Sequence, residues 1–356
     1  MLNAPLWDKT QKKKSKNLRP LTCMINGNSF LQISQKDKIM KKIVITGGAG
    51  FIGSHIVDEY VENYPNAKIV VLDKMTYAAD IRNVQRHIGN KNFDLIVGDI
   101  CDLATCEQAL EGADLLIHAA AESHVDNSFG NSLVFSQTNV VGTHCLMETC
   151  RKLKTPKIIH VSTDEVYGEV LEGEAHEEAL LKPTNPYSAS KAAAEMVIRG
   201  FMQSFNLPVI MIRANNMFGT RQYPEKIIPK FILMLNNDEK LTLHGNGENK
   251  RHFLAVRDFT NALMVLTNKG EIGECYNIGT TQEYQNIEMA KMLCGLFDKS
   301  EDDYITYVED RPFNDGRYAV NWDKITALGW KPKISLEEQM PEIIKWYVER
   351  AERWAA

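Results

Sequence analysis

From Lys41 onward, short apolar runs alternate with longer stretches in which apolar residues recur every three or four positions. The runs are Ile43-Val44-Ile45, Ile69-Val70-Val71-Leu72, Phe93-Asp94-Leu95-Ile96-Val97 and residues 114–118, 157–161 and 209–213. Near-continuous apolar runs this short predict strands of a parallel sheet buried on both faces. Residues 51–60, 133–152 and 188–205 carry helical spacing between them, so strand and helix alternate as in a sheet wrapped by helices. After about residue 215 the pattern becomes irregular, with Pro224, Pro229, Gly245 and Gly247. Shorter helices are predicted there at 227–236, 258–267 and 286–297, and a last one at 336–352. The fold class expected is α/β: a Rossmann-type doubly wound parallel sheet with a smaller C-terminal α/β part. Residues 40–214, with about 251–282, form the first, and 215–250 with 283–356 form the second.

Composition narrows the classes. The chain has 356 residues, 44% of them apolar and 24% charged, with a formal net charge of −5. That balance suits a soluble protein with a real core and gives no reason to expect nucleic acid or an anionic membrane as partner. No apolar run approaches the roughly 18 residues of a membrane span. Cys23, Cys101, Cys106, Cys145, Cys150, Cys275 and Cys294 are scattered, without the spacing of a disulfide framework or a zinc site. No metal is expected, and a reducing compartment, the cytoplasm, is. Residues 1–39 carry eight Lys/Arg against two Asp and no sustained periodicity, and read as a disordered basic extension.

Gly47, Gly50 and Gly53 punctuate Thr46-Gly47-Gly48-Ala49-Gly50-Phe51-Ile52-Gly53, between the first strand and the first helix. Glycines there permit a tight turn and bring backbone N–H groups and a helix N-terminus against a pyrophosphate. Asp73 ends the second strand 20 residues after Gly53, placed to accept from the ribose hydroxyls and to repel a 2′-phosphate. Lys74 beside it works against that selectivity. Asp99 closes the third strand, where it can meet an adenine edge.

Tyr187 and Lys191 stand four apart on a predicted helix, hence on one face. The ammonium is expected to favour tyrosinate and lower the tyrosine pKa toward neutrality, so that Tyr187 can remove a hydroxyl proton. Asp164 and Glu165 follow the strand ending in His160-Val161-Ser162-Thr163. Adjacent carboxylates at a strand end beside a nicotinamide suit a reaction that needs both an acid and a base.

Ser162-Thr163-Asp164-Glu165-Val166-Tyr167-Gly168, Ala120-Ala121-Glu122-Ser123-His124-Val125-Asp126, Pro186-Tyr187-Ser188-Ala189-Ser190-Lys191, Asn215-Asn216, Pro224-Glu225-Lys226 and Tyr276-Asn277-Ile278-Gly279 together resemble the dTDP-glucose 4,6-dehydratase family of extended short-chain dehydrogenases. Asp126-Asn127-Ser128-Phe129-Gly130-Asn131-Ser132 and Arg311-Pro312-Phe313-Asn314-Asp315 are spelled as in the dehydratase part of plant UDP-rhamnose synthases, which act on UDP-glucose.

The resemblance implies NAD as cofactor, UDP-glucose or dTDP-glucose as substrate with UDP-glucose slightly favoured, and a homodimer pairing the helices around 133–152 and 188–205. It implies cofactor contacts from Gly47, Gly50, Phe51, Ile52, Gly53, Asp73, Lys74, Thr76, Asp99, Ile100, Ala120, Ala121, Ser123, Thr138, Tyr187, Lys191 and Asn216. Substrate contacts are implied for Ser123, Thr163, Asn215, Lys226, Ile227, His244, Arg251, Asn277, Arg311 and Asp315. The implied chemistry is oxidation at C4 with Tyr187 as base and Thr163 on the C4 oxygen. Glu165 then removes the C5 proton, a protonated Asp164 donates to the departing C6 hydroxyl, and C6 is finally reduced. Epimerases and decarboxylases of the same fold need the Tyr/Lys pair but not the acid–base pair, and a non-catalytic dinucleotide-binding regulator needs neither.

Overall fold

The computed structural model describes residues 40–310 and 313–354; the predicted basic extension and Arg311 lie outside them. Residues 40–356 belong to one compact unit. Among the described residues, twelve strands are β1 (Lys42–Thr46), β2 (Lys68–Asp73), β3 (Phe93–Val97), β4 (Leu115–His118), β5 (Ile158–Thr163), β6 (Val209–Ala214), β7 (Asn216–Phe218), β8 (Leu241–His244), β9 (Lys250–Ala255), β10 (Cys275–Ile278), β11 (Glu283–Gln285) and β12 (Ile305–Val308). Seven of them form one sheet in the order β10-β6-β5-β4-β1-β2-β3, and its neighbours pair parallel throughout.

The chain leaves β1 toward β3 at one edge, then returns to lay β4 on the other side of β1. That reversal opens a crevice at the C-terminal strand ends, where a doubly wound sheet binds its ligands. Ile43 and Ile45 contribute to the apolar layer on one face of the sheet, and Val44 to the layer on the other. Alternating side chains are thus buried on both sides, which is why the strands read as unbroken apolar runs. A further apolar cluster joins the helices Ile227–Asn236, Asn286–Leu296 and Leu336–Val348 to β8 and β9.

Several local differences from the sequence reading have physical causes. β10, a seventh sheet strand, is only four residues long and gives no period to detect. The helix Leu103–Leu110 follows an N-cap in which Asp102 accepts from Ala104 N and Thr105 N. The helix expected at 133–152 is interrupted: Ser132–Phe135 leads into wider π-type turns over Ser136–Gly142 before Thr143–Leu153 resumes. Within those turns the Asn139 side chain donates to the Glu122 carbonyl at 3.0 Å and to Ser190 Oγ at 2.8 Å, tying the wider turns to two neighbouring segments. β9 pairs with β7 and β11 rather than joining the large sheet, and β8 pairs with β12. The last helix ends at Val348, short of the expected 352.

Candidate active site

Gly47 adopts φ +71°, a left-handed conformation that suits glycine. A Cβ on Gly53 would lie 2.0 Å from the Gly47 carbonyl oxygen, so the first turn of the helix Phe51–Asn63 packs directly on the loop backbone. Asp73 braces the same loop. Its Oδ2 accepts from Ala49 N at 2.9 Å and its Oδ1 from Met75 N at 2.8 Å, and burial raises its pKa. Lys74 is engaged by Asp99 through an ion pair of 2.8 Å, so the cation is held against a carboxylate. Every residue expected on the cofactor side, from Gly47 to Asn216, lines one cleft of about 420 Å³. A closely approached glycine loop, a helix N-terminus and a carboxylate at the second strand end fit a dinucleotide.

The adjacent carboxylates Asp164 and Glu165 directly follow β5. Thr163 caps a single 3₁₀ turn, Asp164–Tyr167, accepting from Glu165 N at 3.3 Å. Asp164 is buried behind the cleft wall. Its Oδ1 meets the Thr163 hydroxyl at 3.2 Å, and its Oδ2 accepts from Asn215 Nδ2 at 2.8 Å. Burial, then the charge of Glu165, pushes its pKa up to about 7. An acid that keeps a proton near neutrality is what the sequence reading required of this residue.

Glu165 lines the cleft itself. Burial raises its pKa, while Lys226, Arg251 and the Asn185 amide act the other way. The two carboxyl groups share a low-dielectric site, and burial raises the pKa of both; Arg251 opposes the rise at each, with Lys226 and the Asn185 amide acting further on Glu165.

Tyr187 and Lys191 come from the helix Pro186–Phe205, which starts two residues earlier than expected. Asn185 provides its N-cap, with Asn185 Oδ1 accepting from Ser188 N at 2.8 Å and Pro186 pre-setting the first turn. The expected lowering of the Tyr187 pKa is reversed. Burial foremost, then the charge of Glu165, raises it above its ordinary value. Lys191 does not offset this, because its ammonium donates to the Val161 carbonyl at 2.8 Å and burial lowers its own pKa to about 8. Desolvation here exceeds the electrostatic help that helical spacing alone suggests.

On the substrate side, Ser123, Thr163, Asn215, Lys226, Ile227, His244, Arg251 and Asp315 line the same cleft. Lys226 Nζ donates to the Ser123 carbonyl at 2.9 Å, and Arg251 Nη1 to the Asp315 carbonyl at 2.9 Å. Asp315 accepts from Thr184 Oγ1 at 2.7 Å and from the Tyr318 hydroxyl. Asn277 does not reach the cleft. Its Oδ1 accepts from the Tyr167 hydroxyl at 2.8 Å, and its Nδ2 donates to the Ala175 and Asn321 carbonyls at 2.9 Å each. Arg311, the remaining expected contact, lies outside the described residues. Asn185 and Tyr318 also line the cleft and were missed. Asn185 carried a signal, an N-cap residue directly before Pro-Tyr; Tyr318 had none, since a return from the irregular second part brings it there.

The model of the GDP-mannose 4,6 dehydratase family matches residues 44–343. The chain belongs to that family. It is 45% identical over 320 residues to an Arabidopsis thaliana trifunctional UDP-glucose 4,6-dehydratase/3,5-epimerase/reductase, covering 88% of this chain and 48% of that protein. The chain thus spans about half the length of its plant relatives. It is 41% identical to the human dTDP-D-glucose 4,6-dehydratase, with 88% of this chain and 92% of that protein covered. Among solved structures it is similar to DesIV, a dTDP-glucose 4,6-dehydratase of Streptomyces venezuelae with NAD bound, at TM-score 0.85 and 35% identity, covering 88% of this chain and 98% of that one. A UDP-glucose 4-epimerase of Thermotoga maritima shares the fold at TM-score 0.80 and 27% identity, covering 87% and 99%.

Proposed function

We propose that this member of the GDP-mannose 4,6 dehydratase family is an NAD-dependent 4,6-dehydratase of a nucleotide-linked glucose. The observation that carries the reading is the buried Asp164–Glu165 pair beside Tyr187 and Lys191: Glu165, Tyr187 and Lys191 line one cleft, and Asp164 lies directly behind its wall. An epimerase needs only the latter two. UDP-glucose is the favoured substrate ahead of dTDP-glucose, supported by the plant-like spellings at 126–132 and 311–315. The large-sheet part binds the dinucleotide, and residues 215–250 and 283–356 bind the nucleotide sugar.

NAD, which the Gly47–Gly53 loop and Asp73 would hold, would supply the acceptor and donor of the hydride and the positive charge of an oxidised ring. Tyr187 is to take the C4 hydroxyl proton, with Thr163 donating to the C4 oxygen; because burial raises the tyrosine pKa, this role needs the positive charge of the oxidised cofactor beside it to favour tyrosinate. The resulting ketone acidifies the C5 hydrogen, which Glu165 removes. Asp164, protonated near neutral pH, is the acid for the departing C6 hydroxyl, with Thr163 between its Oδ1 and the cleft. Glu165 then returns the proton to C5. Lys226 and Arg251 hold the diphosphate.

A homodimer is part of the reading. Leu133 and Phe205, on the two helical segments expected to pair, are 81% and 52% exposed. The cytoplasm is the compartment proposed, on free cysteines at 101, 106, 145, 150, 275 and 294. Among the described residues no helix is long and apolar enough to cross a membrane.

The deciding experiment incubates purified protein with UDP-glucose and, separately, dTDP-glucose, following each sugar by mass spectrometry. Loss of one water without net reduced cofactor is expected. No loss from either, with NAD supplied, overturns the reading.

A further inference from the structure

Ser162 of β5, Arg213 of β6 and Asn277 of β10 stand in register across three adjacent parallel strands. Registered residues of parallel strands project to one face of the sheet. The helix Pro186–Phe205 places Tyr187, Lys191 and Glu195 four residues apart, on one side. Glu195, one turn beyond Lys191, is fully buried and bound to Arg213: Nη2 donates to Oε2 at 2.6 Å and Nε to Oε1 at 3.0 Å.

The other side of the guanidinium serves a different element. Nη1 donates to the Tyr167 hydroxyl at 2.7 Å and to the Glu177 carbonyl at 2.9 Å, and Arg213 Cζ lies 4.7 Å from the Tyr167 ring centroid. Tyr167 closes the 3₁₀ turn that begins with Asp164. Its hydroxyl donates onward to Asn277 Oδ1 at 2.8 Å, and Asn277 N donates to Glu177 Oε1 at 2.9 Å.

Stability alone is a poor reason for such a network, because desolvating an arginine and a glutamate offsets most of their attraction and an apolar pair often serves as well. What the ion pair supplies and an apolar pair does not is direction. We infer that Arg213, acting through Glu195 and Tyr167, is a positioning residue that fixes the Tyr187–Lys191 pair relative to the Asp164–Glu165 pair. The inference rests on the dehydratase reading above. It gives Asn277 a role that its place outside the cleft otherwise lacks: it anchors the far end of Tyr167. Oxidation at C4 and elimination across C5 and C6 then act on one bound sugar without either pair having to move.

Tyr167→Phe tests this, since it keeps the ring under the guanidinium and the Glu195 pair and removes one hydroxyl. In the full-length enzyme, KM for the nucleotide sugar is expected to stay within about twofold. kcat falls roughly tenfold or more, as for a small misplacement of reacting groups. Reduced cofactor accumulates during turnover because elimination lags oxidation. The infrared carboxyl band that Asp164→Asn abolishes moves its titration midpoint in Tyr167→Phe. Arg213→Lys keeps the charge opposite Glu195 and loses the nitrogen reaching Tyr167; it is read in the same way and decides the matter should Tyr167→Phe not fold. Folded variants with unchanged kcat, or with oxidation and elimination slowed by one common factor, overturn the inference. If the unsubstituted enzyme converts neither sugar, the functional reading fails on its own. An unmoved infrared midpoint in the variants then overturns the positioning role as well, and a shifted one supports it.

Discussion

Asn215 Nδ2 donates to Asp164 Oδ2 over 2.8 Å, while Asn215 Oδ1 accepts from Thr280 N at 3.1 Å, so the amide cannot turn its oxygen toward the acid. A donor fixed on a carboxyl favours its ionised form and acts against the burial that raises the Asp164 pKa to about 7. The elimination needs Asp164 protonated, so turnover is expected to fall as pH rises through that value. Asn215→Ala removes the donor. Its alkaline limb should move up by roughly one pH unit, the worth of one such hydrogen bond, even as kcat declines. A pH–rate profile of both enzymes checks the direction; a limb displaced to lower pH excludes the assignment.

The same group makes a prediction about stability. Asp164 holds its proton to about pH 7 when folded, against 3.8 for an ordinary aspartate. The native state therefore binds more proton than the unfolded chain between those values, and stability is lost as pH rises through them. Below pH 3.8 both states are protonated and the contribution is fully present. Asp164→Asn cannot ionise, so the protein and the variant should melt together in acid and diverge by several degrees near pH 8, the variant higher. Thermal unfolding at a series of pH values measures this, and a variant less stable at high pH contradicts it.

Most of the chemistry was legible because it is written in short spacings. A glycine loop between strand and helix, a carboxylate at the second strand end and four residues from Tyr187 to Lys191 each name a local geometry. What escaped depends on burial and on distant partners. Burial raises the Tyr187 pKa, and Lys191, whose ammonium donates to the Val161 carbonyl, does not offset it. Asn277 was placed on the substrate by its family spelling, yet a buried amide serves architecture equally well, and only the partners at 167, 175 and 321 show which. The pairing of β8 with β12 closes over more than sixty residues and leaves no trace in local pattern.

That correction separates two classes of variant. Lys226→Met and Arg251→Met each remove a cation that lines the cleft. Each should raise KM for the nucleotide sugar about ten- to hundredfold, the range of a charge-assisted hydrogen bond. Asn277→Ala should leave KM within about twofold, a change of roughly 0.4 kcal/mol, and lower the unfolding temperature by stranding buried partners. Steady-state kinetics beside thermal melts distinguish them; a large KM change in Asn277→Ala with intact stability returns that residue to the substrate.

Two glycines of the dinucleotide loop differ in what they tolerate. A Cβ at Gly53 would stand 2.0 Å from Gly47 O and 2.6 Å from Gly47 C, both backbone atoms that cannot rotate aside. At Gly50 the nearest atom is the same oxygen at 3.4 Å, and the backbone, with φ −77°, is one any residue adopts. Gly53→Ala must therefore push the helix start off the loop, at a cost of about 1–3 kcal/mol in stability, and should emerge from purification with little bound dinucleotide. Gly50→Ala should keep its stability, because nothing in the protein has to move. Cofactor released on denaturation, quantified against protein, gives the first comparison and thermal unfolding the second. Should Gly53→Ala retain its cofactor and stability as well as Gly50→Ala does, close packing of the helix on the loop is not what forms the dinucleotide site.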